Sequence, residues 1–390
     1  MRSDLSAEAT PRRGDDATPQ RAADRRIGFL KGLLVPLALV TISLIVTLLL
    51  GEAVVRLLFK DGAVMFPRYH TDYRYGPYTL RGIRPNAEFW HTSVDGSWKF
   101  VTNSHGFRNA RDFPYEKRAG TLRVLSLGDS HTQGYEVRQD ATFSAVLERY
   151  LAGRNARAEV PNAGVSGYST AEALAFLENE GYRYQPDAVV LGFYANDFED
   201  NLKAGLFALD QGALESRKYE HIPGVRIQNA IYAIPGVKWL GENSYLYSIV
   251  FNGVWAYFKS ALRSQALHAT AAEPTDVEYA VANSAEQPEE AVALAAALIA
   301  RMQRFCTERG IRLIVVDIPM RAGPLRYASS LSQPLMERLK ETGVETVSSH
   351  AVLADFDGVA EFHTPHGHHH ISEFTHLLIG AELGRRLLAK

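Results

Sequence analysis

The stretch "LRVLSLGDSHTQGYEV", Leu122 to Val137, decides how this chain is read. Its first half is a nearly unbroken apolar run that stops at Gly128, and an aspartate, a serine and a histidine follow at once. A short apolar run bounded by turn residues reads as a strand buried on both faces, the kind found in parallel sheets. Parallel neighbours need crossover helices, and the next residues supply them. In "ATFSAVLERYL" (141–151), Phe143, Val146, Leu147 and Tyr150 share one helical face. A strand near "AEVPNAG" (158–164), a helix near "TAEALAFLENEGY" (170–182) and the apolar strand "DAVVLGFY" (187–194) continue the alternation. Such alternation implies βαβ units, a parallel sheet and right-handed crossovers.

The alternation stops at about residue 203 and resumes after about 287. The intervening residues hold an aromatic stripe, "WLGENSYLYSIVFNGVWAYFK" (239–259), and an Ala/Glu-rich linker, 268–290. An insertion of this length is functional or linker material, and its stripe reads first as packing. A lid or a membrane-surface helix are the other readings of the stripe. Beyond it the pattern gives a helix over 290–310, the strand "IRLIVVDIP" (311–319), a helix near 331–342 and a last helix over 373–388. Ahead of the α/β region, residues 61–120 are rich in aromatics, Gly and Pro. Two alternating runs around Asp95-Gly96 signal a hairpin, so this tract reads as a small β-rich lead-in.

The chain has 390 residues, with 42 Lys+Arg against 44 Asp+Glu, a near-neutral balance that argues against a dedicated nucleic-acid binder. Its one cysteine, Cys306, excludes an internal disulfide framework and a cysteine-rich zinc site. From Leu33 to Leu50 there is no charged residue. As a helix this run is about 27 Å long, close to the hydrocarbon thickness of a bilayer. No small-residue cleavage site follows it, and "RRIGFLK" (25–31) has one residue too many before Phe29 for a twin-arginine signal. The reading is an uncleaved anchor over 28–55, preceded by a disordered cytoplasmic tail, 1–27. Arg21, Arg25, Arg26 and Lys31 precede the span and Arg56, Lys60 and Arg68 follow it, which favours the N-terminus inside and the remainder outside the cytoplasm.

Open parallel sheets bind ligands beyond the carboxyl ends of their strands. Ser130 stands at such an end, and so do the loops "NAGVSGYST" (162–170) and "YANDF" (194–198). A serine needs a base to become a nucleophile, and an ester's developing oxyanion needs preorganised donors. Gly167 allows a backbone N–H to come close, Asn196 offers an amide, and "HTPHGHHHIS" (363–372) offers imidazoles.

These four blocks, Gly128-Asp129-Ser130, Gly167, Asn196-Asp197 and a histidine before the C-terminal helix, resemble those of the SGNH (GDSL-type) hydrolase superfamily, in the same order. The resemblance covers 121–202 and 289–390, and the G-x-S-x-G elbow of the α/β-hydrolases is absent. It implies a flavodoxin-like three-layer, doubly wound parallel sheet over 121–390, interrupted by the insertion. It makes Ser130 the nucleophile and His370 the base, with His369 and His368 as fallbacks. The Ser130 and Gly167 amides and the Asn196 side chain form the oxyanion hole, while Asp129 and Asp197 order turns. Three positions depart from the pattern. His131 follows the serine in place of leucine, Tyr194-Ala195 replaces Gly-Gly and narrows the pocket, and Gly367 stands where an aspartate would orient the base. Asp355, Asp357 or Glu361 could substitute, or a Ser–His dyad could act alone. The five histidines at 363, 366, 368, 369 and 370 lack metal-ligand spacing, so no metal or cofactor is expected. The implied activity is hydrolysis of O-acyl, chiefly acetyl, esters on envelope or exported polysaccharide. An O-acyltransferase with the same residues, and a non-catalytic carbohydrate-binding protein, are the alternatives.

Overall fold

Three strands carry the centre of the molecule: β5 (Leu122–Gly128), β7 (Ala188–Phe193) and β11 (Arg312–Asp317). β7 is buried along its whole length, and in β5 and β11 only the first residue is not. Burial on both faces is what these apolar runs require. The computed structural model describes residues 19–67, 69–217, 219, 220, 224–254, 257 and 287–389. They form two units, Met1–Leu58 and Phe59–Lys390.

Among the described residues the first unit contains one helix, α1 (Pro19–Leu58). Its stretch Gly32–Leu58 has a mean hydropathy of 2.8 in its most apolar window, long and apolar enough to cross a membrane. Within it the hydroxyls of Thr41 and Thr47 donate to the carbonyls of Leu37 and Ser43, each at 2.8 Å, so they carry no unpaired hydrogen. The helix starts earlier than expected. Residues 19–27, assigned to the disordered tail, continue it, because Pro19 suits a first turn and Gln20 to Arg26 are mostly good helix formers. Residues 1–18 lie outside the described residues.

In the second unit the lead-in forms two hairpins: β1 (His70–Tyr75) with β2 (Tyr78–Ile83), and β3 (Glu88–Ser93) with β4 (Gly96–Val101). The second turns at Ser93–Gly96, where the Asp-Gly signal lies. The α/β region follows as β5, α2 (Ser130–Gln133), α3 (Phe143–Ala152), β6 (Ala158–Glu159), α4 (Thr170–Asn179), β7 and α5 (Asp197–Ala204). The insertion contributes a hairpin, β8 (Phe207–Asp210) with β9 (Ala213–Ser216), then β10 (Tyr219–Glu220). Among the described residues three helices follow, α6 (Gly224–Tyr232), α7 (Val237–Asn243) and α8 (Tyr245–Val254). The Tyr232 ring lies 5.0 Å from Tyr69, and Ser248 Oγ donates to the Val64 carbonyl at 2.7 Å, while Trp239 and Tyr257 are exposed. Residues 258–286, which hold most of the linker 268–290, lie outside the described residues. The chain ends with α9 (Glu289–Thr307), β11, the hairpin β12 (Met320–Gly323) and β13 (Arg326–Ala328), α10 (Gln333–Thr342), β14 (Glu345–Val347), α11 (Ser349–Leu353) and α12 (Glu373–Leu388).

The main sheet is parallel throughout, in the order β6-β5-β7-β11-β14. Numbered by the chain, that is 2-1-3-4-5, the doubly wound order whose crevice opens between the first and third strands. One face of the sheet, with Leu125, Leu127, Val189, Leu191, Leu313 and Val315, packs into a core shared with α4, α9 and the lead-in. The other face, with Val124, Val190, Ile314 and Val316, packs on α3 and α12. Gly380 and Gly384 let α12 lie close on α3, since side chains there would meet Val146 and Tyr150. This contact brings the end of the chain back beside the end of β5.

Candidate active site

Ser130 opens α2 just past the end of β5. Asp129 fixes the turn: it is buried, caps the helix, and its Oδ1 accepts the His131 N–H at 2.8 Å. Burial pushes its carboxyl up to about 6. The Ser130 hydroxyl lies 2.7 Å from His370 Nε2 across 240 residues of chain.

His370 is held from several sides. Ser372 caps α12 by accepting the Thr375 N–H at 3.3 Å, and His376 Nδ1 accepts the Phe143 N–H at 3.0 Å. Arg138 reaches the Glu373 carboxylate with two nitrogens, at 2.7 and 2.9 Å. The imidazole sits between two rings, with His131 and Tyr135 each 4.6 Å away by centroid. Burial, and the imidazoles of His370 and His363, hold His131 well below the usual histidine range, so it adds no charge beside the base. Two departures from the family pattern meet here, because the His131 and Tyr194 rings are 4.1 Å apart.

The histidine-rich segment divides its work. His363 Nε2 lies 2.8 Å from the Pro319 carbonyl, and His369 Nδ1 lies 3.1 Å from the Thr364 carbonyl. His366 pairs with Asp95 at 2.7 Å, and its N–H donates to the other Asp95 oxygen at 3.0 Å. His368 stacks on Tyr135 at 5.7 Å. Of the three candidate bases, His370 is the one that meets Ser130. Asp95 is the tip of the β3–β4 hairpin, so the lead-in fastens the loop that carries His370.

The carboxylates proposed to stand in for an aspartate at 367 are elsewhere. Asp355, Asp357 and Glu361 are exposed, and Asp357 pairs with Arg326. Their nearness to His370 in sequence does not become nearness in space. The carboxylate that does face the base is Glu136, six residues after the serine. Its side chain is fully buried, and its Oε2 lies 3.5 Å from His370 Nδ1, longer than a formed hydrogen bond. The Thr364 hydroxyl donates to the same oxygen at 3.1 Å. Burial works against its ionisation, but His370 in front of it, with His91 and His368, holds the carboxyl down to about 2. Glu136 also adopts a left-handed backbone, φ 60°, a conformation costly for such a residue. Gly367 has φ +61°, and a Cβ there would run into Glu136 Oε1. The sequence did carry a signal: an acid enclosed by Tyr135 and Val137 beside the serine, and a glycine where an acid was missing.

Gly167 and Asn196 occupy the loops after β6 and β7, on the same rim as Ser130. Gly167 has φ +79°, and a side chain on it would meet the Arg81 guanidinium, which reaches from β2 to the Ser166 carbonyl. Asp197 binds the two loops together: one oxygen accepts the Thr170 N–H at 2.7 Å and the other the Tyr194 N–H at 3.0 Å. Burial and the charge of Asp129 push the Asp197 carboxyl well above the usual range. No grouping of three His, Cys, Asp or Glu side chains fit to hold a metal occurs among the described residues.

The family model described as GDSL-like lipase/acylhydrolase matches residues 126–335, more than half of the chain. The chain belongs to this family. It is a serine ester hydrolase on the three-layer parallel-sheet fold of the GDSL-like enzymes. The match stops short of His370, so that residue's placement stands on the geometry above. None of the curated proteins compared with this GDSL-like chain matches it by sequence. Among solved structures it is similar to a two-domain esterase active on acetylated mannans, CEX, with 13% identity and a TM-score of 0.38. That likeness covers 69% of this chain and 50% of the other, so the chain spans half the length of that esterase. It is similar to the lipase/acylhydrolase of Enterococcus faecalis, with 17% identity and TM-score 0.38, over 68% of this chain and 95% of that one. It is also similar to the acetyl-xylooligosaccharide esterase Axe2 of Geobacillus, with 12% identity and TM-score 0.39, over 70% of this chain and 98% of the other.

Proposed function

We propose that this protein is a membrane-anchored esterase whose catalytic unit lies outside the cytoplasm and removes acetyl groups from O-acetylated polysaccharide. The observation that carries the catalytic part is the 2.7 Å contact between Ser130 Oγ and His370 Nε2. At that distance the imidazole can take the hydroxyl proton as the oxygen attacks an ester carbonyl. Charge on the carbonyl oxygen is received by the Ser130 and Gly167 backbone amides and the Asn196 side chain. The protonated His370 then gives its proton to the departing alcohol oxygen. Water, deprotonated by the same imidazole, attacks the acyl-serine, and acetate leaves as the proton returns to Ser130.

A short acyl group is favoured because Tyr194, packed on His131, stands where the family pattern has glycine. The anchor assignment is supported by the apolar helix Gly32–Leu58, and its orientation by the excess of basic residues before the span. An outward-facing, tethered enzyme meets envelope polysaccharide directly, which supports that substrate class. The test is acetate release from an aryl acetate and from acetylated polysaccharide by the wild type and Ser130→Ala. The wild type is expected to release acetate from both and S130A from neither. Equal release by the two proteins would exclude Ser130 as nucleophile.

A further inference from the structure

An imidazole that accepts a proton at Nε2 works best when its other nitrogen is held in one tautomer by an acceptor that also balances the charge it gains. Beyond Ser130, the group facing His370 is Glu136. Its carboxylate is fully buried, points Oε2 at Nδ1 from 3.5 Å, and is steadied by the Thr364 hydroxyl. His370 Nδ1 is buried and has no hydrogen-bond partner among the described residues. The carboxylate reaches this place through a left-handed backbone at Glu136, which surrounding structure must enforce. Its second oxygen takes the space that any side chain at Gly367 would enter. Catalytic contacts of this kind are often long in the free enzyme and shorten once the imidazole becomes charged.

We propose that Glu136 is the positioning residue for His370, and that it and a side chain at 367 compete for one space, so that the acid comes from the segment after the nucleophile instead of the segment before the base. This rests on the reading of Ser130 and His370 given above. The protein supplies the orienting carboxylate from a part of the chain 234 residues away from the base. During acylation Glu136 stays ionised and accepts the Nδ1 hydrogen, while the proton of Ser130 moves to Nε2 and on to the leaving alcohol.

The experiment uses the full-length chain with 4-nitrophenyl acetate, comparing the wild type with Ser130→Ala, Glu136→Gln, Glu136→Ala, Gly367→Asp and the double variant Glu136→Ala/Gly367→Asp. Glutamine keeps the shape and the Thr364 contact but not the charge. E136Q is expected to unfold within a few degrees of wild type while kcat falls about 100-fold or more and KM changes less than about threefold. Retention of kcat within about threefold in E136Q, or a loss of activity that comes only with loss of the fold, overturns the positioning role. G367D is expected to lose activity while Glu136 is present, and the double variant to exceed both single variants in kcat. A double variant no more active than E136A overturns the shared-space half of the proposal. If S130A matches the wild type, the reading of the site itself has failed, an outcome distinct from any result at Glu136.

Discussion

At the residue scale the site separates groups that move protons from groups that hold loops. Asn196 belongs to the proposed oxyanion hole, where loss of one preorganised donor typically costs a factor of 10² to 10³ in rate, about 2.7–4 kcal/mol. Asn196→Ala is therefore expected to lower kcat by roughly that factor with KM nearly unchanged, as steady-state rates on an aryl acetate will show. Tyr194→Gly tests the acyl pocket: the rate on a butyrate or hexanoate ester, relative to acetate, should rise when the ring against His131 is removed. Ser130, Gly167 and Asn196 stand out in the sequence because each follows the end of a strand, while their proposed roles and that of His370 come from the resemblance. Glu136 was not legible as part of the site. A base's partner is sought near the base in sequence, whereas this acid faces His370 from 234 residues away, through the fold. A dyad, or a fold that has lost catalysis, was entertained because Gly367 carries no acid. The proposed role of Glu136 answers that reason, and the E136Q variant tests it.

Among elements, the continuous apolar strands β5, β7 and β11 were readable because burial on both faces leaves few polar residues in them. β14 was not, since its three residues, Glu345 to Val347, carry too short a pattern and take their conformation from pairing with β11. The lead-in was legible as β-rich but not as a clamp, because the contact of Asp95 with His366 joins residues 271 apart. The Asp95 hydrogen bond raises the His366 pKa above its usual 6.5. A histidine raised in the folded state contributes its full stabilisation below about pH 6.5, and loses it as pH climbs through the folded value. Amide exchange in the 363–369 loop, corrected for its intrinsic pH dependence, should thus speed up above pH 6.5 in the wild type. Asp95→Asn should show faster exchange at pH 6 and little further change.

For the whole molecule, the apolar helix ends at Leu58, and all groups of the candidate site lie in Phe59–Lys390. A chain starting at residue 59 should leave the membrane fraction and keep its kcat on a soluble aryl acetate within a fewfold. In spheroplasts, protease added from outside should reach the second unit and not the N-terminal tail. Part of the insertion packs on the lead-in through Tyr232 and Ser248, a surface that the aromatic pattern does not identify.

The most direct measurement is covalent: treat the full chain with a fluorophosphonate, digest it, and locate the added mass. One modified peptide is expected, carrying the adduct on Ser130, with labelling abolished in S130A and sharply slowed in His370→Ala. A folded wild-type protein that takes up no label, or takes it up at another serine with Ser130 untouched, would contradict it.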